Sequence, residues 1–146
     1  MKISTKGRYG LRIMLELALR NGQGPVLVDV IERAQGISGK YIHQLMLGLK
    51  HAGLVRTVRG PRGGYELAKP PGEVTILSII TVLEGPPVPV ECVAQPSSCE
   101  RTGACVARDL WREVSAAIEG VLSQTTLETL CRRERERAQE PLSFSI

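Results

Sequence analysis

Three cysteines stand within fourteen residues, as Cys92-x6-Cys99-x5-Cys105, in a 146-residue chain whose only other cysteine is Cys131. A lone thiolate is a weak ligand, but three on one short segment share the ordering cost and suit a soft metal or an iron–sulfur cluster. Cys92, Cys99 and Cys105 are therefore the candidate metal ligands, for a 2Fe–2S cluster first and a 4Fe–4S cluster second. Two other chemistries fit the same thiols: a tetrahedral zinc site, and reversible disulfide formation without metal. Cys131 stands apart and reads as a buried helix residue, in keeping with how often free cysteine is buried.

A second set of side chains lies upstream. Ser38, Lys40, Tyr41, His43 and Gln44 crowd one short segment, followed by Arg56, Arg59 and Arg62 in a Gly-rich stretch. In a major groove, Gln pairs with adenine, Lys with guanine or phosphate, and Ser with either. A guanidinium on a protruding turn suits a narrow, electronegative minor groove. Each of these residues alone would pass as solvated surface; their ordered combination points to double-stranded DNA.

Elements that would position these groups are legible in the apolar spacing. Leu11, Met14, Leu15 and Ala18 predict a helix over residues 5–21, with Ser4 or Thr5 as its cap and Gly22 as its stop. Leu27, Val30, Ile31 and Ala34 predict a short second helix closed by Gly36. Ser38 caps a third over residues 39–52, whose apolar face is Ile42, Leu45, Met46 and Leu49. The tight Gly36-Ile37-Ser38 connection is that of a helix-turn-helix. Residues 54–59 alternate in the period of a strand, Gly60-Pro61-Arg62-Gly63-Gly64 forms a turn, and Tyr65-Glu66-Leu67 returns. The expected fold is mainly α with a small β-hairpin: a winged helix-turn-helix domain plus a long dimerisation helix.

Thr75 caps a further helix with Ile76, Ile79, Ile80 and Leu83 as its buried face. Residues 84–104 are rich in Pro, Ser and Cys without periodicity and predict a loop ordered by whatever its cysteines bind. From Cys105 to Ser123, Leu110, Val114, Ala117 and Val121 form a seam for a partner helix, beside Trp111, Ile118 and Leu122. Thr125 or Thr126 would cap a last, charged helix. The expected organisation is a DNA-binding domain over 1–83, a cluster-binding loop over 84–104, dimerisation helices over 105–137 and a tail over 138–146.

Charge is distributed to match. Residues 1–69 carry 12 Lys/Arg against 4 Asp/Glu, a net +8, whereas residues 70–146 carry 7 against 11, a net −4. That asymmetry fits a polyanion-binding module joined to a part that must not bind the same polyanion. One Phe and one Trp leave too few rings to stack single-stranded bases. No apolar run has the length of a signal peptide or membrane span, so a cytoplasmic protein without membrane contact is expected. No nucleophile–base arrangement, phosphate-binding loop or carboxylate pair marks an enzyme. An iron–sulfur electron carrier would share the cysteines but has no use for a basic winged helix.

The blocks Met1-Lys2-Ile3-Ser4-Thr5-Lys6-Gly7-Arg8-Tyr9-Gly10-Leu11, residues 37–45 and Gly53 to Tyr65 resemble the Rrf2 family of bacterial transcription regulators, over residues 1 to about 130. The resemblance implies a homodimeric winged helix on a roughly two-fold symmetric operator, with Ser38, Lys40, Gln44 and Arg59 falling where the family contacts DNA. It implies that Cys92, Cys99 and Cys105 ligate a cluster, although the first gap is one residue longer than usual. Arg108 and Arg8 stand where iron–sulfur members carry a fourth ligand, and neither can serve, being always protonated. Some of those members have Glu in place of His43, associated with choosing between operator classes according to cluster state, and His cannot reproduce an acid's repulsion there. Members concerned with sulfur metabolism work with a cysteine-biosynthetic enzyme. The end Leu142-Ser143-Phe144-Ser145-Ile146 resembles the isoleucine-ended tails that enter cysteine synthase.

Overall fold

In the computed structural model, which describes residues 1–141, the helix-turn-helix and wing form as the spacing predicts. Helix α1 (Thr5–Leu19) is the central element, packed against the second, third, fourth and last helices and the second strand of the hairpin. Its buried arc is wider than the expected stripe. Ile13 and Leu17 are fully enclosed beside Met14 and Ala18, whereas Leu11 and Leu15 are only half-buried. A helix covered on two sides needs more than one apolar stripe. Gly10 lets α1 approach the helix that carries Leu83 closely, because a Cβ there would overlap the Leu83 side chain.

Helix α2 (Val28–Gln35) buries only Ile31; Leu27 and Ala34, expected on its inner face, are exposed. It ends at Gly36 in the left-handed region, φ 65°, a conformation open to glycine at no steric cost. Ser38 then accepts the Tyr41 N–H at 3.3 Å and starts α3 (Gly39–His51). Ile42, Leu45, Met46 and Leu49 are all buried, which leaves the opposite stripe free. Strands β1 (Val55–Val58) and β2 (Gly64–Leu67) pair antiparallel with Val55 opposite Leu67 and Val58 opposite Gly64. The hairpin is tied to the α1–α2 link where Val26 and Tyr65 exchange backbone hydrogen bonds of 2.8 and 2.9 Å.

Helix α4 (Ile76–Glu84) is capped by Thr75 and buries all four expected residues, Ile76, Ile79, Ile80 and Leu83. The segment expected to lack regular structure contains a short helix α5 (Glu91–Ala94) and a 3-10 turn, Pro96–Ser98. One turn of helix is too short to leave a periodic signal. Helix α6 (Val106–Gln124) packs on α4 and α5 yet buries only Ser115. Helix α7 (Leu127–Gln139), capped by Thr126, returns to α1 and completes the core with Leu127 and Cys131. The α6–α7 link is sewn to the start of α4: Ile76 N–H donates to Thr125 O at 2.9 Å, and Leu127 N–H to Val74 O at 3.0 Å. Among the described residues no helix is long and apolar enough to cross a membrane.

Candidate nucleic-acid interface and cysteine arm

With its apolar face buried, α3 must present the other stripe outward, and Lys40, His43 and Gln44 are exposed there. Leu47 completes the stripe one turn on, 70% exposed, and together with Tyr65 of β2 these residues line one shallow cleft between helix and wing. Ser38 spends its hydroxyl oxygen on the helix cap and keeps its O–H free to donate. Tyr41 is half-buried and meets Tyr9 edge-on, centroids 6.1 Å apart, so its ring seats α3 on α1. The Arg12 and Arg8 guanidinium groups lie 5.4 and 6.0 Å from the Tyr9 centroid. Arg12 also donates to the Gln35 side chain and carbonyl, Gln35 donates to Glu16, and Glu16 pairs with Arg20. That chain of bonds fixes the end of α2 against α1 and satisfies the buried Glu16 carboxylate.

On the wing, Arg56 Nε pairs with Glu66 at 2.6 Å across the hairpin, so much of its charge is already met. Arg59 and Arg62 at the turn are exposed and form no ion pair among the described residues. Their guanidinium groups are thus available to phosphate or a minor groove.

Across the α1–α4 contact, the Glu84 carboxylate accepts from the Ser4 N–H at 3.0 Å, the Gly7 N–H at 2.9 Å and the Ser4 hydroxyl. Ser4 therefore occupies the cap position of α1 without capping it; Glu84 does so from another helix. The Ser4 hydroxyl, with backbone N–H groups and Lys6, holds its carboxyl below the usual range against the opposing pull of burial.

The cysteine arm is built differently. Cys92 sits in α5, Cys99 is exposed after the 3-10 turn, and Cys105 is the N-cap residue of α6. Thr102 holds the turn by donating to Pro96 O or Cys99 O, each 2.6 Å away, and Arg108 Nε donates to Cys92 O at 3.2 Å. Arg108 thus braces the arm through a carbonyl. Three thiols suit an iron–sulfur cluster by number and chemistry; among the described residues no group of three His, Cys, Asp or Glu is positioned to hold a metal ion, so a cluster would have to draw the arm's thiols together. Cys131 lies 3% exposed in the core, where burial pushes its thiol pKa up and keeps it protonated.

Leu47 and Tyr65 extend the cleft, and Glu84 the support of α1, beyond the residues picked out by sequence. Leu47 carried a signal, as the apolar residue at i+4 from His43 on a polar stripe. Glu84 carried another, since an acid in the last turn of a helix opposes the helix dipole unless a second group receives it. Tyr65 carried none, because its partner His43 lies on another element, α3.

A helix-turn-helix whose third helix exposes such a stripe beside a basic hairpin defines a winged-helix DNA-binding transcription regulator. The family model described as an iron-dependent transcriptional regulator, Rrf2, matches residues 3–133, and the chain belongs to that family. It is 45% identical over 130 residues to the transcriptional regulator CymR of Bacillus subtilis, covering 89% of both chains. It is 40% identical over 131 residues to IscR of Serratia proteamaculans, covering 89% of this chain and 79% of the relative. The solved structure of B. subtilis CymR, the global cysteine regulator, superposes with a TM-score of 0.77 at 44% identity, over 91% of this chain and 98% of that one. T. potens IscR superposes with a TM-score of 0.78 at 38% identity, over 99% and 95%. These relatives are transcriptional regulators, and this chain is a regulator rather than an enzyme.

Proposed function

We propose that the chain acts as a homodimer on a two-fold symmetric operator and that the cysteine arm sets how well the two heads fit it. The dimer rests on α6: Val106, Leu110, Trp111 and Val121 are 82, 53, 38 and 65% exposed on one 19-residue helix, a surface that calls for a second copy. In each head, α3 enters the major groove with Lys40, His43 and Gln44 towards the bases and Ser38 towards phosphate. Arg59 and Arg62 reach the minor groove, with Arg56 a lesser contact because of Glu66.

The observation that carries the sensing role is the attachment of the arm: Cys92 lies in the helix packed on α6, and Cys105 begins α6 itself. Any event that gathers the thiols must move the start of the helix that spaces the heads. We assign Cys92, Cys99 and Cys105 to an iron–sulfur cluster, 2Fe–2S before 4Fe–4S, supported by three soft donors and by the iron dependence in the family's description. Bound there, it would supply a redox-active and chemically labile centre. A second reading, reversible thiol oxidation without metal, is favoured by thiols that stand apart, and a solved Staphylococcus aureus CymR is described as an oxidized form. Anaerobic purification with assay of iron, acid-labile sulfide and the visible spectrum separates them. Iron and sulfide in the wild type and not in Cys92→Ala support the cluster; neither in both proteins leaves thiol oxidation. The C-terminal residues 142–146 lie outside the described structure. We propose them as a contact for cysteine synthase, tested by co-purification with and without Ile146.

A further inference from the structure

We propose that His43 and Tyr65 work as a pair that reads guanine at one position of each half-site, the wing tyrosine fixing the imidazole so that Nε2 always presents an N–H to the groove. The inference rests on the proposed placement of α3 in the major groove. His43 Nδ1 lies 2.7 Å from the Tyr65 hydroxyl, with the two rings tilted by 59° and their centroids 5.7 Å apart. Which atom donates follows from the acidity and basicity of the two groups. Tyr65 is buried, 8% exposed, and its hydroxyl has no other hydrogen-bond partner among the described residues. Between neutral partners a phenol O–H is a much stronger donor than an imidazole N–H, and an imidazole nitrogen a much stronger acceptor than a phenol oxygen. The phenol therefore donates to Nδ1, and the neutral ring carries its proton on Nε2. Burial raises the Tyr65 pKa, which keeps that hydroxyl protonated. If the ring is charged, Nε2 still carries a proton, so in either state it faces the groove as a donor.

A donor on this stripe matches acceptors on base edges. Guanine offers N7 and O6 side by side, whereas cytosine offers an amino donor at the corresponding edge. Lys40, less than a turn away in the same cleft, adds three donors and no acceptor. Lys40 and His43 together present donors and no acceptor, a pair that accepts guanine and rejects cytosine. Glu at position 43 would offer only acceptors and invert that preference. Tyr65 is a positioning residue in this scheme, since it need not touch DNA.

The test is selection from a randomised duplex library with the full-length wild type, Tyr65→Phe and His43→Glu. The wild type should enrich guanine at one column of each half-site. Tyr65→Phe keeps the buried ring but frees the imidazole tautomer, and should weaken guanine preference about 2- to 10-fold at that column, the worth of one hydrogen bond. His43→Glu should replace guanine by cytosine there. An unchanged column in Tyr65→Phe, or an equal decline at all columns, would overturn the pairing while leaving operator reading intact. A wild type that enriches no sequence would overturn both.

Discussion

The head that faces DNA and the arm that carries the cysteines are neighbours in the chain and opposites in construction. Each helix of the head buries apolar residues, Ser38 and Thr75 cap two of them, and the wing is bonded to the α1–α2 link. The arm has one short helix, one 3-10 turn, no buried cysteine and a few side-chain bonds to carbonyls. A reading surface must be in place before its operator arrives, because loose side chains would lose affinity to ordering. A sensing segment must have somewhere to move. On the proposed function, reading and sensing are divided along that line of packing.

The comparison can be broken at the joint between the two regions. Leu110→Glu places a charge on the exposed seam of α6 without touching the core of the head. It should convert the dimer to monomer by analytical ultracentrifugation and abolish operator binding while circular dichroism stays native. A variant that remains dimeric would show that the seam faces something else.

Within the comparison, Leu127→Ala should cost about 2–5 kcal/mol in urea unfolding, as for a large aliphatic removed from a full core. Cys99→Ser on the exposed arm should stay within about 0.5 kcal/mol. Equal costs would mean that arm and head are one cooperative core. Glu84→Gln weakens the cap on α1, with an expected loss of about 0.5–2 kcal/mol. Because the folded carboxyl is held below its ordinary pKa, the wild-type advantage is complete above the ordinary glutamate value and is lost as pH falls through the lowered one. Unfolding of both proteins from pH 7 down to acid should therefore converge. The smallest effect separates two arginines of the wing: Arg59→Ala should reduce the salt slope of DNA binding by about one, and Arg56→Ala, already partnered by Glu66, by less.

How much of this was legible in the sequence differs between the same two regions. In α3 and α4 each expected apolar residue is buried, since a helix packed on one side writes its face into a 3.6-residue period. α1 was legible as a helix but not in its packing, because enclosure on two sides buries Ile13 and Leu17 outside the stripe. For α2 the period overstated burial, and Leu27 and Ala34 remain in solvent. Contacts between distant segments left no local trace: Glu84 on Ser4, Tyr65 on His43 and the Thr125–Leu127 link on Val74–Ile76 join residues 22 to 80 positions apart. The cysteine spacing announced a chemistry, but not how the thiols are placed.

Operator affinity measured by fluorescence anisotropy without oxygen tests the central claim, that the arm governs the heads. It would compare apo protein with protein reconstituted with iron and sulfide, for wild type and Cys92→Ala. The account predicts a change of about 5-fold or more between the two wild-type forms, the usual scale of coupling between sites, and none in Cys92→Ala. Equal affinity of both wild-type forms across the selected operators would contradict it.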